Sequence, residues 1–464
     1  MRKQQETPLE EPHLAAWLEK GLGRAILFLQ QTDPRLYRDV ILRACTHNQT
    51  FDQQCEEGRD LFLHDVLMAA NDMDYYRPQL FAALMDLNAN EEYAPNQLFG
   101  LVRRMAQSGD LKARDCLYAA FDRQVATAQD FRGATEFVEL DGLSGLLFIT
   151  AHYLRCKQAG SVSDDDREWN WWLSELEERD GKDATQSALR QRADTIPGLR
   201  ELLQYAEAER AKNERWREEW KKNPRPIMSY AELKALIYSK GRATYRGTLS
   251  TWGRHAAEVD LQQAAQDLIA ETDADRVFAY TWIFSNRAFP LSTTPLEHSP
   301  LLTLAQSADV EQAWRAMRAL GNLTHPAVRA LGLQLIADST RAGEGADLLE
   351  NNFEEGDFAL LETVLQQPLE TTTYHSVGMS VRQIAEEHLS PRAVPSLLLL
   401  YVNGPCSLCR HFCVKLLLQL DALPASLRAE CRYDADEHTR KLVSTPERLN
   451  DANPQETGKT TATT

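Results

Sequence analysis

Several things are scarce in this 464-residue chain. Eight cysteines are too few for a disulfide scaffold. The longest apolar runs, 142–153 and 394–402, stop far short of the roughly 20 residues that cross a bilayer. Residues 1–12 hold no apolar core and no small-residue cleavage site, so no secretory signal is expected. A cytoplasmic protein with reduced thiols and no membrane partner follows as the expectation. Positive charge is also short: 51 Lys and Arg face 68 Asp and Glu, a net charge of −17. That balance excludes coating nucleic acid with the whole surface. Strict apolar–polar alternation is missing, so no strand is predicted. No Gly-x-Gly-x-x-Gly, Walker A, His-Glu-x-x-His or Gly-x-Ser-x-Gly motif occurs. Their absence lowers the case for a nucleotide enzyme or a hydrolase, and neither catalytic residues nor a cofactor is expected.

What is present is helix. Segments of about 10–18 residues carry apolar side chains at i, i+3, i+4 and i+7. Leu61, Val66, Leu67 and Ala70 form one such stripe, and Leu331, Leu335 and Ile336 another. Short polar breaks separate them, which implies antiparallel helix pairs. The length exceeds one ordinary core, so several domains or one elongated array is expected.

One turn pattern recurs. Asp, Pro or Gly opens a helix and an Arg follows within a few residues. It runs from Asp33-Pro34 to Arg38, from Gly109-Asp110 to Arg114, from His325-Pro326 to Arg329 and from Asp436 to Arg440, with a looser copy from Gly404-Pro405 to Arg410. Asp caps free N–H groups, and Pro needs no partner at the first helical position. The Arg one turn later can reach an acid or a carbonyl of a neighbouring turn and stitch one helix pair to the next. The pattern resembles the HEAT-repeat α-solenoids over about residues 12–155 and 257–443, with 324–338 the best single copy. The whole chain resembles uncharacterised bacterial HEAT-repeat proteins. The resemblance implies an all-α stack of antiparallel helix pairs with a concave partner-binding surface. Some HEAT-like proteins are DNA glycosylases, which use aromatics and a carboxylate on a basic surface. No carboxylate of this chain is matched to theirs.

The expected organisation is a flexible N-terminus (1–11), helical repeats (12–160), a charged helical insertion with a basic loop (161–256), further repeats (257–443) and a disordered tail (444–464). In the insertion, an acidic loop at 163–166 is expected to cap the helix of Trp169, Trp171 and Trp172. Between 210 and 255, twelve Lys and Arg face four Asp and Glu, a surplus of eight that leaves the rest of the chain at −25. Aromatics are interleaved. Phosphates bind cations and bases stack on aromatic rings, so Trp216, Trp220, Lys221, Lys222, Arg225, Lys240, Arg242, Tyr245, Arg246, Trp252 and Arg254 are candidates for holding nucleic acid or a partner. The structural alternative is a segment docked on the acidic body, or a solvated helix with Glu at i±3 and i±4.

Cys406, Cys409 and Cys413 fall on one helical stripe, with His411 on the other side. With Cys431 they are candidate zinc ligands, although no second Cys-x-x-Cys half-site exists. A reactive Cys406 at a helix N-terminus, resolved by Cys409, is a second reading. Buried apolar packing is the third, and the one favoured. The polar link 46–59 is read as a turn in which Asp52 caps a helix with Glu56 in its first turn. His375 is read as preceding a helix over 377–388. The expectation for function is a non-enzymatic α-solenoid scaffold for a protein partner with a basic segment. The alternative is nucleic-acid binding through 210–255.

Overall fold

The computed structural model describes residues 11–53, 56, 59–87, 94–128, 131–162, 166–222, 228–291 and 295–444. The structure is all-α: helix makes up 75% of the described residues, and no strand occurs among them. None of their helices is long and apolar enough to cross a membrane. The flexible N-terminus and the tail of the sequence reading lie almost wholly outside the described residues.

Two compact units divide the chain. The first comprises 1–206, 406–415 and 423–464, and the second 207–405 and 416–422. Each has its own apolar core. Phe62, Phe99, Phe121, Phe137 and Trp169 are buried at the centre of the first. Ile237, Trp252, Tyr280, Phe284 and Leu320 occupy the second.

Within each unit a helix packs on the second helix along as well as on its sequence neighbours. In the first unit, Arg24–Leu29, Arg59–Ala70, Ala94–Gln107 and Ala134–Asp141 follow one another in contact, as do Arg38–Thr46, Met73–Met85 and Leu111–Ala128. In the second, Arg246–His255, Ala274–Ile283, Val310–Gly321, Ala342–Glu350 and Thr371–Glu387 do the same. Some crossings are close enough to require glycine, one in each unit among them. A Cβ on Gly145 would stand 1.9 Å from the Phe137 carbonyl oxygen, and one on Gly253 1.9 Å from that of Ile283. Backbone cannot yield that distance locally.

Four of the recurrent arginines, Arg38, Arg114, Arg329 and Arg410, reach forward to acids of later turns, whereas Arg440 reaches back to Asp65 at 2.6 Å. Arg38 Nε lies 2.7 Å from Asp72, which precedes helix Met73–Met85. Arg77 on that helix pairs with Asp110 at 2.6 Å. Asp110 in turn accepts from the N–H groups of Lys112 and Ala113, at 3.1 and 3.2 Å, and opens helix Leu111–Ala128. Arg114 on that helix pairs with Asp141 at 2.7 Å. The same arrangement returns in the second unit. His325 caps helix Pro326–Ile336, and Arg329 binds both oxygens of Asp357, at 2.6 and 2.9 Å, and the Asn352 carbonyl at 2.7 Å. Partly exposed pairs of this kind contribute about 0–1 kcal/mol each. They fix register, while apolar burial holds the units together.

Charge is buried deeply at one place in the first unit. Arg410 and Asp434 are both fully buried and meet through two hydrogen bonds, Nε–Oδ2 at 3.1 Å and Nη2–Oδ1 at 3.2 Å. Arg410 Nη2 also donates to the Gly21 carbonyl at 3.3 Å, which accepts from the Ala435 N–H at 2.9 Å. Gly21 has φ +69°, and its missing Cβ would lie 2.4 Å from the Ala435 Cβ. Removing either charged partner would leave the other buried without its counter-ion.

Two local expectations change. Helix Thr371–Glu387 begins before His375 rather than after it, because Glu370 accepts from the N–H groups of Thr372 and Thr373. Asp166 makes no capping bond to the helix of Trp169. Instead it accepts from the Tyr153 hydroxyl at 3.0 Å and pairs with Lys157. Ser163, Asp164 and Asp165 lie outside the described residues.

Candidate functional site

The basic segment folds as three pieces: the end of helix Leu199–Lys222, helix Tyr230–Lys240 with a short 3-10 turn, and helix Arg246–His255. Ser229 and Glu232 form a reciprocal capping box that starts the second piece. Much of its positive charge meets acids of the same unit. Arg242 pairs with Asp275 at 3.2 Å and with Asp309 at 3.0 Å. Arg246 pairs with Glu311 at 2.8 Å, and Lys234 with Asp267 at 2.7 Å. The bond to Asp309 raises the Arg242 pKa above its ordinary value. Lys221 pairs with Glu218 on its own helix at 3.2 Å.

The aromatics separate into two groups. Trp252 is buried; its Nε1 donates to the Met228 carbonyl at 2.7 Å and its ring lies 5.6 Å from Tyr230. Tyr245 is 76% exposed and Trp216 55%. Lys240 and Arg254 are exposed. Arg225 lies outside the described residues, as do the side chains of Trp220 and Lys222. The candidate residues therefore do not form one surface. Arg242 and Arg246 meet at Glu311, at 3.9 and 2.8 Å, Tyr245 stands exposed between them in sequence, and Trp252 belongs to the core.

Beside them stand residues that sequence reasoning missed. Arg315, on helix Val310–Gly321, has a side chain only 2% exposed, with its guanidinium carbon 3.6 Å from the Trp282 ring centre and 4.2 Å from that of Phe278. Its Nη2 donates to Glu311 at 2.5 Å, and Glu311 also receives Arg246. Burial pulls the Arg315 pKa down, against the carboxylate. Arg242 lies 4.2 Å from the Phe278 ring centre, and Arg246 5.7 Å from that of Trp282. Trp314 packs edge-on to Trp282 at 6.2 Å and remains 48% exposed; Val310, one turn earlier, is 82% exposed. Arginines sandwiched by rings and acids form a rigid base. Tyr245 and Trp314 are left exposed. The available signal was spacing, since Trp282 and Trp314 sit one helix repeat apart.

The cysteine cluster is in the first unit, at the start of helix Ser407–Gln419. Cys406, Cys413 and Cys431 are buried and Cys409 half-buried, and none of the described cysteines is in a disulfide. His411 faces away from that stripe, toward Asp436 at 3.4 Å. Burial alone would raise the Asp436 carboxyl; hydrogen bonds from His411 and Thr439 outweigh it and hold the group well below its usual range. In the polar link, Glu56 accepts from the Asp52 N–H at 3.0 Å and from the Ser407 N–H and hydroxyl at 2.9 and 2.6 Å. Cys55 lies outside the described residues.

No known protein family, curated protein or solved structure matches the chain.

Proposed function

We propose that the protein is a non-enzymatic scaffold of HEAT-like α-solenoid type, and that it holds a protein partner on the face of the second unit that carries Tyr245, Val310 and Trp314. The observation that carries this reading is the double engagement of Arg242 with Asp275 and Asp309. It ties the basic segment into the helix array. Helix-on-second-helix packing and the repeated Arg–Asp stitches support the solenoid. Exposed Trp and Tyr on a base of fixed arginines have the composition of protein-interface hot spots. A second reading, nucleic-acid binding, draws on exposed Lys240, Arg254 and Tyr245. It needs phosphate contacts from arginines that already face carboxylates.

The test is a photo-crosslinking amino acid at position 245 or 314, with position 333, also surface-exposed, as control. The scaffold reading expects a discrete, nuclease-resistant protein adduct from 245 and 314 and none from 333. Adducts only to nucleic acid, or the same pattern from all three positions, would refute it.

A further inference from the structure

Two of the eight cysteines stand together at the start of helix Ser407–Gln419 in the first unit. The Sγ atoms of Cys406 and Cys409 lie within 4.8 Å of each other. Cys406 immediately precedes the helix, and its carbonyl accepts from the Arg410 N–H at 3.2 Å. Cys409 follows in the first turn. Side chains at that spacing share one face, with Cβ atoms about 5–6 Å apart. A disulfide needs about 3.5–4.5 Å. The residue before a helix keeps backbone freedom that interior residues lack. Cys406 therefore closes the gap by turning at its own backbone, with the helix left wound.

The other thiols are placed for packing instead. Cys413 is buried one turn beyond Cys409, and in the helix interior neither partner of that pair has a backbone free to turn. It lies two turns beyond Cys406, out of reach of a disulfide. Burial pushes the Cys45 thiol up to about 12 and the Cys116 thiol up to about 11, and exchange requires the thiolate. Cys409 is half-buried, whereas Cys406 is only 4% exposed. An incoming reagent thus meets Cys409 first and leaves Cys406 behind it, the reverse of the order the sequence suggests.

We infer that Cys406 and Cys409 form a dithiol–disulfide couple that exchanges with low-molecular-weight disulfides, Cys409 attacking and Cys406 resolving. The Cys409 thiolate attacks one sulfur of the small disulfide. A mixed disulfide forms, the incoming S–S bond breaks, and the departing thiolate takes up the proton that Cys409 gave. The Cys406 thiolate then attacks Cys409 Sγ and expels the second small thiolate, which takes up the Cys406 proton. Two cysteine thiols are oxidised to one cystine, and one small disulfide is reduced to two thiols. The ring so closed is short, so it constrains the unfolded chain little and reopens readily to an added thiol. The couple stands whether or not the second unit's face holds a partner.

The test is incubation of the reduced full chain with oxidised glutathione, followed by alkylation, digestion and mass spectrometry. The expected product is a link between Cys406 and Cys409, reversed by dithiothreitol. Cys406→Ser should stop at glutathione held on Cys409. Cys409→Ser should slow reaction at Cys406 by about ten-fold or more. Cys156→Ser, at another half-buried thiol, should leave the link intact. Phenylarsine oxide, whose arsenic bridges two neighbouring thiols, needs no variant: on the native chain it should protect Cys406 and Cys409 together from alkylation. Any of four results would overturn the couple: no reaction, or glutathione that stays on wild-type Cys409; a link from either cysteine to Cys413 or Cys431; undiminished reaction of Cys406 in Cys409→Ser; or no joint protection by the arsenical.

Discussion

The two units use one grammar, arginine answering aspartate across successive helices, in opposite settings. Beside its partly exposed stitches, the first unit holds pairs that run inward. Arg410 and Asp434 are fully buried, and Arg103 and Arg59 nearly so. In the second, Arg315 is buried, but its acid Glu311 lies nearer the surface, and the Arg242 and Arg246 side chains are 40% and 60% exposed. Depth decides what each pair is worth. A buried pair is costly to break, because a charge is stranded away from water. An exposed one contributes little and mainly fixes orientation. The first unit therefore locks its own fold with charge, while the second arranges charge beneath exposed aromatic rings.

The largest effect should come from breaking the buried pair. Asp434→Ala is expected to destabilise the first unit by about 3–5 kcal/mol, read by chemical denaturation. A loss below about 1 kcal/mol would place that pair with the exposed ones. Next come the helix crossings, which the two units share. Gly145→Ala and Gly253→Ala should each cost about 1–3 kcal/mol or more, because the new methyl meets backbone. Similar losses in both would show that the units differ in charge and not in packing.

The third prediction concerns pH. The folded-state pKa of Glu136 is raised to about 7 from 4.5 by burial. The folded state thus holds the proton more tightly than the unfolded one. The stabilisation is fully present below pH 4.5 and is lost as pH rises through about 7. The Glu136→Gln variant should flatten stability against pH in that window, a change of about 1–3 kcal/mol between its ends. Glu350 in the second unit, also pushed up to about 7 by burial with Asp347 adding to it, should behave alike. The smallest effect is expected at the exposed ladder, where Asp275→Ala should cost under about 1 kcal/mol.

Much of the fold was legible because its signals are local. Apolar stripes marked the helices, and Asp110, His325 and Pro326 marked their starts. The arginines of the recurrent turn were visible for the same reason. Their partners were not, since Arg38 and Asp72, or Arg329 and Asp357, are 34 and 28 residues apart and only packing joins them. The helix of His375 was placed too late because Glu370, a less common cap than Asp or Ser, opens it. Of the candidate site, Arg242, Tyr245 and Arg246 were legible as a basic, aromatic loop. Trp282, Trp314 and Arg315 were not, because they lie on helices that read as ordinary repeats.

The most direct test of the central claim, that the basic segment is a tied part of the helix array, is binding of the intact chain to labelled single- and double-stranded DNA and RNA at low and high salt. Alongside it runs a charge-reversed variant, Arg242→Glu/Arg246→Glu. The account predicts no binding tighter than about 100 µM at low salt and a lowered melting temperature in the variant. Micromolar binding that salt and the variant both abolish, with melting unchanged, would contradict it.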